Sequence, residues 1–302
     1  MNATPGILTP YRPATPPPAD TSGLRRPGNL LCPDGIIFEG LERTVQRHLF
    51  RLRVLGNAHP QPPRFLVIAG KPGTGKTVAA TDAALRMNHA VLHLPVANLA
   101  SENEGGATAI LDSYLADAEQ HAKAHNEPVA IVADDLDLGI ISNEADTGRT
   151  VNSNLLVQRL QSLADGDDIR NADGTRIALI ITGNDWSHIR PSLFRDGRAT
   201  WYEHTPTPDE ITALAANMLK PGTADDRRLV LKLARRYRNE SVAFWSALRT
   251  SLNNDVLDAL IASGVTDPTA LKVELHRPRP LEPGKLLGLA RKHATRRRLS
   301  FL

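Results

Sequence analysis

The sequence predicts an α/β fold: a parallel five-stranded sheet wrapped by helices, followed by a small all-helical domain. Short runs rich in Val, Ile and Ala alternate with helical stretches, which is typical of strand–helix–strand units. A glycine-rich turn links the first run to a helix, and near Thr205 the alternation stops and only helical patterns remain. The five predicted strands lie at 64–69, 90–94, 129–133, 177–182 and, more weakly, 199–204.

The helices are predicted from apolar spacing and from capping residues. Before the first strand, apolar residues from Ile36 to Leu52 recur near helical spacing. After the last strand, Thr207 and Glu210 form the pattern of a capping box with Pro208 at the first helical position. The remaining helical patterns lie at 208–219, 224–238 and 241–261.

Composition restricts the class of protein. The chain has 302 residues, of which 41% are apolar and 23% charged, so disordered and fibrous classes are excluded. Its single cysteine, Cys32, cannot form an intrachain disulfide, which favours a reducing compartment. The apolar runs are far shorter than the roughly 20 residues of a membrane helix, and the start lacks the pattern of a signal peptide. We therefore expect a cytoplasmic protein with no membrane span.

Charge and proline content suggest four segments. Residues 1–33 are expected to be a flexible arm, because the first 28 residues contain seven prolines. The α/β domain is placed at 34–205, the helical lid at 206–270 and a basic tail at 271–302. In 272–302, nine Lys or Arg face two acids. Such a tail binds nucleic acid or an acidic protein surface by charge, or it is simply solvated.

The strongest motif runs from Gly70 to Thr77 and fits G-x-x-x-x-G-K-[ST], between a predicted strand and a helix. In this phosphate loop, backbone N–H groups surround the phosphates of a nucleotide such as ATP. Lys76 neutralises phosphate charge, and the Thr77 hydroxyl ligates Mg²⁺. The predicted nucleotide-binding residues are Gly70, Pro72, Gly73, Thr74, Gly75, Lys76 and Thr77.

Two acids follow the third predicted strand. Asp134 and Asp135 stand at its carboxyl end, where ligands of parallel sheets bind. Adjacent acids alone often mark only a solvated strand end, but the phosphate loop favours a functional pair. We expect Asp134 to hold Mg²⁺ and Asp135 to polarise the attacking water.

Four further residues are candidates for the site. Asn184 follows the fourth predicted strand and can orient the water. Arg195 and Arg198 lie in a short turn; one of them could reach a neighbouring subunit's nucleotide, or the turn is held by a surface salt bridge. Arg249, on an otherwise apolar helix face, either senses the γ-phosphate or snorkels from the edge of the core. No pattern of metal-binding His or Cys and no covalent nucleophile stands out.

These motifs, in this order, resemble an AAA+ ATPase, and within that superfamily the chain is similar to Rubisco activase from about residue 36 to 265. The residues that carry the similarity are 135–137, 150–152, 164–165, 182–185, 195–198, 244–249 and 254–255.

The resemblance implies roles and an assembly. Asp134 and Asp135 match the Walker B pair, Asn184 the first sensor and Arg249 the second sensor, while Arg195 and Arg198 match the arginine fingers. It also implies a homo-oligomer, a hexameric ring whose central pore acts on Rubisco and releases inhibitory sugar phosphates. The pore loops match 99–106 and 140–150.

The chain departs from the family pattern at several places. Asp134 stands where an Asn is common, and Ser251 replaces an arginine that usually follows the second sensor. Neither pore segment carries an aromatic-hydrophobic-Gly loop, so gentle remodelling fits better than processive unfolding.

Three functions are compatible with an ATP-hydrolysing domain of this kind. The first is a remodeller of Rubisco or a related protein client. The second is a subunit that regulates a separate effector, such as a nuclease or protease. The third is a nucleic-acid-linked ATPase that uses the basic tail.

Overall fold

The computed structural model describes residues 23–56, 61–99, 105–140, 147–166, 169–187, 189, 192–265 and 267–299. They form two compact units that do not follow chain order. The sheet unit contains 23–33, 40–69 and 77–203. The helical unit contains 34–39, the loop 70–76 and the chain from His204 onward. The predicted α/β domain at 34–205 therefore contributes three short segments, 34–39, 70–76 and 204–205, to the helical unit.

The sheet unit alternates strands and helices. Its elements are β1 (Leu24–Arg25), α1 (Glu39–Leu55), β2 (Phe65–Ala69), α2 (Lys76–Arg86), β3 (Ala90–Pro95), a 3₁₀ turn (Val96–Leu99), α3 (Gly106–His125), β4 (Val129–Asp134), α4 (Leu136–Ile140), α5 (Thr147–Asp165), β5 (Ala178–Gly183) and β6 (Ala199–Glu203). The helical unit follows with α6 (Pro208–Leu219), α7 (Ala224–Arg236), α8 (Val242–Ala262), α9 (Pro268–His276) and α10 (Pro283–Leu299).

The sheet has the order β1-β3-β4-β5-β2-β6. The five predicted strands are confirmed, and all of them pair in parallel. The central strands are buried along their length, which explains why they appear as unbroken apolar runs rather than alternating ones. The order places the carboxyl ends of β4, β5 and β2 side by side, and ligands of parallel sheets bind at these ends.

The expectation that residues 1–33 form a flexible arm is wrong for the part that the structure describes. β1 pairs antiparallel with β3, which adds a sixth strand, and Leu24 is buried. The backbone N–H groups of Leu31 and Cys32 donate to the carboxylate of Asp82, at 2.7 and 3.0 Å. From Gly23 onward, this segment is therefore held against the sheet unit by strand pairing and hydrogen bonds. Residues 1–22 lie outside the described part.

The helical unit has its own apolar core, formed by α6, α7, α8 and α10. The capping box before α6 is confirmed: Thr207 and Glu210 each accept a hydrogen bond from the other's backbone N–H. The expected boundary between a helical lid at 206–270 and a basic tail at 271–302 is wrong. Leu286 and Ala290 of α10 are fully buried in the core of the helical unit. The many basic residues of this last segment obscured the apolar face of α10 in the sequence pattern.

Some predicted features fall outside the described residues. Residues 100–104 and 141–146 of the two expected pore segments belong to this group. Where the structure describes the chain, none of the helices is long and apolar enough to cross a membrane.

Candidate nucleotide site

The phosphate loop, which joins β2 to α2, belongs to the helical unit. The ammonium group of Lys76 is buried and donates to the carbonyl oxygens of Gly70 and Lys71, at 2.8 and 3.0 Å. The Thr74 hydroxyl donates to the Lys71 carbonyl at 2.9 Å. The loop therefore wraps around its own lysine, and positive charge lies at its centre.

The glycines of this loop are required by its backbone. Gly73 and Gly75 have φ of 71° and 85°, in the left-handed region. Gly73 also lies against the first turn of α8, since the Ala243 N–H donates to its carbonyl at 3.2 Å. A Cβ on Gly73 would lie 3.1 Å from the Cβ of Ala243 and 3.3 Å from Oγ of Ser241. The left-handed turns aim successive N–H groups to one side, the arrangement that binds phosphate.

His204 packs against the phosphate loop. Its Nε2 lies 3.2 Å from the Thr74 carbonyl oxygen, and its ring packs edge-on to Phe38 with centroids 4.9 Å apart. Burial lowers the pKa of His204, and the hydrogen bond to Thr74 only partly offsets this. The ring therefore stays neutral near pH 7. No sequence pattern indicates this role of His204, because its partners are 130 and 166 positions away.

A cavity of about 360 Å³ adjoins the loop within the helical unit. Lys71, Pro72 and Thr74 form one wall, and the start of α8 with the preceding residues 238–241 forms another. Its lining combines residues of the loop with apolar Ile211 and polar residues such as Asn239 and Ser241. This mixture suits a small polar ligand held beside the loop.

In the sheet unit, three side chains meet at the carboxyl end of β4. Thr77, at the start of α2, and Thr182, in β5, both donate to Oδ1 of Asp134, Thr182 at 2.8 Å. Nε2 of His93 lies 3.8 Å from Oδ2 of Asp134, beyond hydrogen-bond distance. The pKa of Asp134 falls to about 2, chiefly through His93, with the two hydroxyls adding to the effect and burial opposing it. Asp134 is therefore ionised at neutral pH.

This donor set fits Mg²⁺. A threonine hydroxyl and an ionised carboxylate are the hard oxygen ligands that this ion prefers, and it usually takes only one or two from protein. Among the described residues, no group of three or more His, Cys, Asp or Glu could hold a metal by itself. The predicted pair Thr77 and Asp134 is thus adjacent, with Thr182 as a third oxygen that sequence reasoning did not single out.

Two of the four predicted catalytic residues, Asp135 and Asn184, also lie together. The amide Nδ2 of Asn184 donates to Oδ1 of Asp135 at 3.0 Å. Asp135 has φ of 51°, an uncommon conformation for a residue other than glycine, directly between β4 and α4. Both side chains are partly exposed, so water can reach them.

Asp137 is a buried carboxylate that sequence reasoning quoted only as part of a motif. It is 1% exposed, and Oδ2 accepts the backbone N–H groups of Asn184 and Asp185 at 2.7 and 2.9 Å. The signal for it, an acid two residues after Asp135 inside an apolar turn, was present in the sequence.

The two candidate arginine fingers have different surroundings. Arg198 is mostly buried and binds both carboxylate oxygens of Asp165, and it also donates to the Ser192 carbonyl. Arg195 is exposed at the tip of the turn. Its charge helps to lower the pKa of Asp165, less than the hydrogen bonds from Arg198 do. The structure thus leaves Arg195 available to a partner and uses Arg198 within the chain.

Arg249 lies two turns into α8, half-buried in the helical unit. Its guanidinium donates to the Leu275 carbonyl at the end of α9. Burial, and to a lesser extent Arg279, lowers its pKa. It does not line the cavity beside the loop.

The chain has a parallel sheet, a phosphate loop after the second strand and paired acids after the fourth strand. This combination defines a nucleotide-hydrolysing domain of the P-loop class. Residues 66–206 match the family described as the ATPase family associated with various cellular activities (AAA). This part of the chain is an AAA ATPase domain.

Curated relatives narrow the resemblance. Over 70% of this chain, it is 27% identical to the ribulose bisphosphate carboxylase/oxygenase activase of Anabaena sp. and 26% identical to the chloroplastic activase of Chlamydomonas reinhardtii. It is 25% identical over 64% of the chain to the chloroplastic activase of Oryza sativa subsp. japonica. The chain spans about half the length of these relatives, with 52%, 52% and 42% of each covered. The family match over 66–206 and these relatives together support a domain that resembles the AAA+ ATPase domain of Rubisco activase.

Proposed function

We propose that this chain is an ATP-driven remodeller of a protein client, acting as a homo-oligomer, with Rubisco as the client that its relatives favour. The observation that carries the ATP-hydrolysing part is the pair of contacts at the carboxyl end of β4, where Asp134 accepts from Thr77 and Asp135 from Asn184. These contacts support the assignment of Thr77 and Asp134 as magnesium ligands and of Asp135, held by the Asn184 amide, as the base.

Each residue then has a role in hydrolysis. The backbone of the phosphate loop and Lys76 bind the phosphates, and Thr77 and Asp134 hold Mg²⁺. The metal ion supplies charge neutralisation to the phosphates. Asp135 accepts a proton from the attacking water, and Asn184 fixes the direction of that carboxylate.

The role proposed for Arg195 makes the active form an oligomer. An arginine supplied by a neighbouring subunit stabilises the charge that develops on the transferred phosphoryl group. Arg195 suits this role because it is exposed while Arg198 anchors the turn. A closed ring, hexameric by analogy with AAA+ proteins, gives every subunit such a neighbour. We assign Arg249 the role of second sensor, with a shift away from Leu275 when nucleotide binds.

The proposed client rests on the three relatives reported above, which are named as activases of ribulose bisphosphate carboxylase/oxygenase. In that function, ATP hydrolysis loosens a closed Rubisco site so that an inhibitory sugar phosphate escapes. A reactivation assay with inhibited Rubisco tests it directly: the wild-type chain with ATP should restore carboxylation, and Asp135→Asn should not.

The Asp135→Asn variant also serves as bait, because it should bind ATP and stall before hydrolysis. Recovery of Rubisco subunits from native lysate with ATP and Mg²⁺, together with reactivation, supports the proposal. Recovery of a nuclease or protease instead would favour an ATPase subunit that regulates a separate effector. Asp117→Asn on the exposed face of α3 removes the same charge away from the site and is the control.

One observation favours a nucleic-acid partner as a second candidate. Arg236 at the end of α7 and Arg291 of α10 line a cavity of about 430 Å³, together with Tyr237 and Glu240. Exposed basic residues on two helices suit a phosphate backbone. Binding of labelled single- and double-stranded DNA and RNA should then weaken steeply with salt and with Arg236→Ala plus Arg291→Ala. Salt-insensitive or absent binding rejects this candidate.

A further inference from the structure

We infer that Asp137 is a positioning residue for ATP hydrolysis: it holds Asn184 in place so that the Asn184 amide can direct Asp135. The inference rests on the proposed hydrolysis and deepens it. It concerns a buried acid that belongs neither to the phosphate-loop motif nor to the predicted magnesium ligands.

The first step is the contact between Asp137 and the chain after β5. One oxygen, Oδ2, accepts two consecutive backbone N–H groups, those of Asn184 at 2.7 Å and Asp185 at 2.9 Å. Hydrogen bonds to a carboxylate are stronger than those between neutral groups, and this one is 1% exposed, so water does not compete. The backbone at Asn184 is therefore fixed to α4 from a distance of 47 positions in the chain.

The second step concerns the space between Asp137 and the end of β5 at Gly183. A Cβ on Gly183 would lie 2.9 Å from Cγ of Asp137 and would clash with the indole ring of Trp186. Any side chain at Gly183 would therefore force the start of this loop away from the carboxylate. Glycine allows the end of β5 to reach Asp137 closely enough for both hydrogen bonds.

The third step links this contact to the chemistry. Asn184 is held twice by one short segment of chain: its backbone N–H by Asp137 and its side-chain amide by Asp135, at 3.0 Å. Asp135 itself has a left-handed φ of 51°, a conformation that persists where surrounding contacts determine it. The double attachment fixes the distance between the sensor and the base, which is what a directed proton transfer requires.

A double-mutant cycle tests this role. Asp137→Ala should lower kcat about tenfold or more while KM for ATP changes less than about twofold, since ground-state binding does not use this contact. Asp137→Asn should retain most of kcat, because its side-chain oxygen can accept both N–H groups. In an Asn184→Ala background, Asp137→Ala should cost less than about twofold further, because the residue acts through Asn184.

Three outcomes would overturn the inference: an unchanged kcat in Asp137→Ala, equal losses in both backgrounds, or a loss confined to KM. Active-site titration with a tight-binding nucleotide corrects for unfolded protein. If Asp137→Ala does not fold, Gly183→Ala replaces it and should show the same dependence on Asn184; full additivity rejects the role. A wild-type chain without ATPase activity would refute the proposed function itself, which is a different result. Asp117→Ala on α3 is the matched control.

Discussion

The phosphate loop and the acidic end of β4 are built in opposite ways. The loop is made of backbone: left-handed glycines, carbonyl oxygens that hold Lys76, and close packing against Ala243. The acidic end is made of side chains from separate elements, in which Asp134 accepts from two threonines and Asp135 from Asn184. A backbone site can be encoded by a short motif, whereas a side-chain site depends on how strands align.

Substitutions in the phosphate loop and at the end of β4 should therefore have different effects on nucleotide binding, stability and catalysis. Substitutions in the loop should change nucleotide binding and the fit to α8, because the loop serves both. Substitutions at the end of β4 should change the rate of hydrolysis with little effect on binding, because those contacts orient reacting groups.

Lys76→Ala should have the largest effect. It removes the charge at the centre of the loop, so we expect ATP affinity to fall by about 100-fold or more and hydrolysis to be lost. Isothermal titration with ATP and Mg²⁺ measures it, with Lys232→Ala on the exposed side of α7 as control. Normal ATP affinity in Lys76→Ala would show that the loop does not bind the phosphates.

Arg195→Ala should lower hydrolysis by about 100-fold or more while ATP affinity and Tm stay unchanged, because the residue acts on a neighbour's nucleotide. Arg198→Ala should instead lower Tm, since it loses Asp165 and the Ser192 carbonyl, worth roughly 1 kcal/mol. Mixing Arg195→Ala with Lys76→Ala subunits should restore activity. The Arg195→Ala subunit binds ATP, and its Lys76→Ala neighbour supplies an intact Arg195. The assignment of separate roles fails if both variants lose activity equally with unchanged Tm.

His48 should make the sheet unit sensitive to acid. Complete burial lowers its pKa to about 4, below its ordinary 6.5, so the unfolded chain takes up the proton first. The stabilisation is complete above pH 6.5 and is lost as pH falls toward 4; at pH 5 the loss is about 2 kcal/mol. Urea denaturation at pH 7 and pH 5 should show this loss, and His48→Gln should reduce it. An equal loss in His48→Gln would assign it to other groups.

Gly73→Ala should have the smallest effect, a destabilisation of about 1–2 kcal/mol with weaker ATP binding, since the new Cβ meets a left-handed φ and the side chain of Ala243. Thermal unfolding with and without ATP measures both consequences. Gly284→Ala, at a glycine with open space around it, should leave both unchanged. A fully stable Gly73→Ala would mean that the loop is not packed as described.

Much of the fold follows from local pattern. The five parallel strands, the helix after the phosphate loop and the capped start of α6 were all predicted, because apolar runs, glycines and capping residues act within a few positions. The buried face of α10 was missed: with Leu286 and Ala290 spread among many basic residues, charge dominated the pattern. β1 was missed because two residues carry no periodicity.

By itself, the sequence determined the phosphate loop, the paired acids and the resemblance to AAA+ ATPases, since each is a run of neighbouring residues. Only the tertiary structure decided that Thr182 joins Asp134, that Asp137 holds Asn184 and that Arg198 is occupied by Asp165. The parallel register that pairs Ala133 with Ile181 brings the next residues, Asp134 and Thr182, together across 48 positions. Such pairings arise from strand alignment, and no spacing along the chain specifies them.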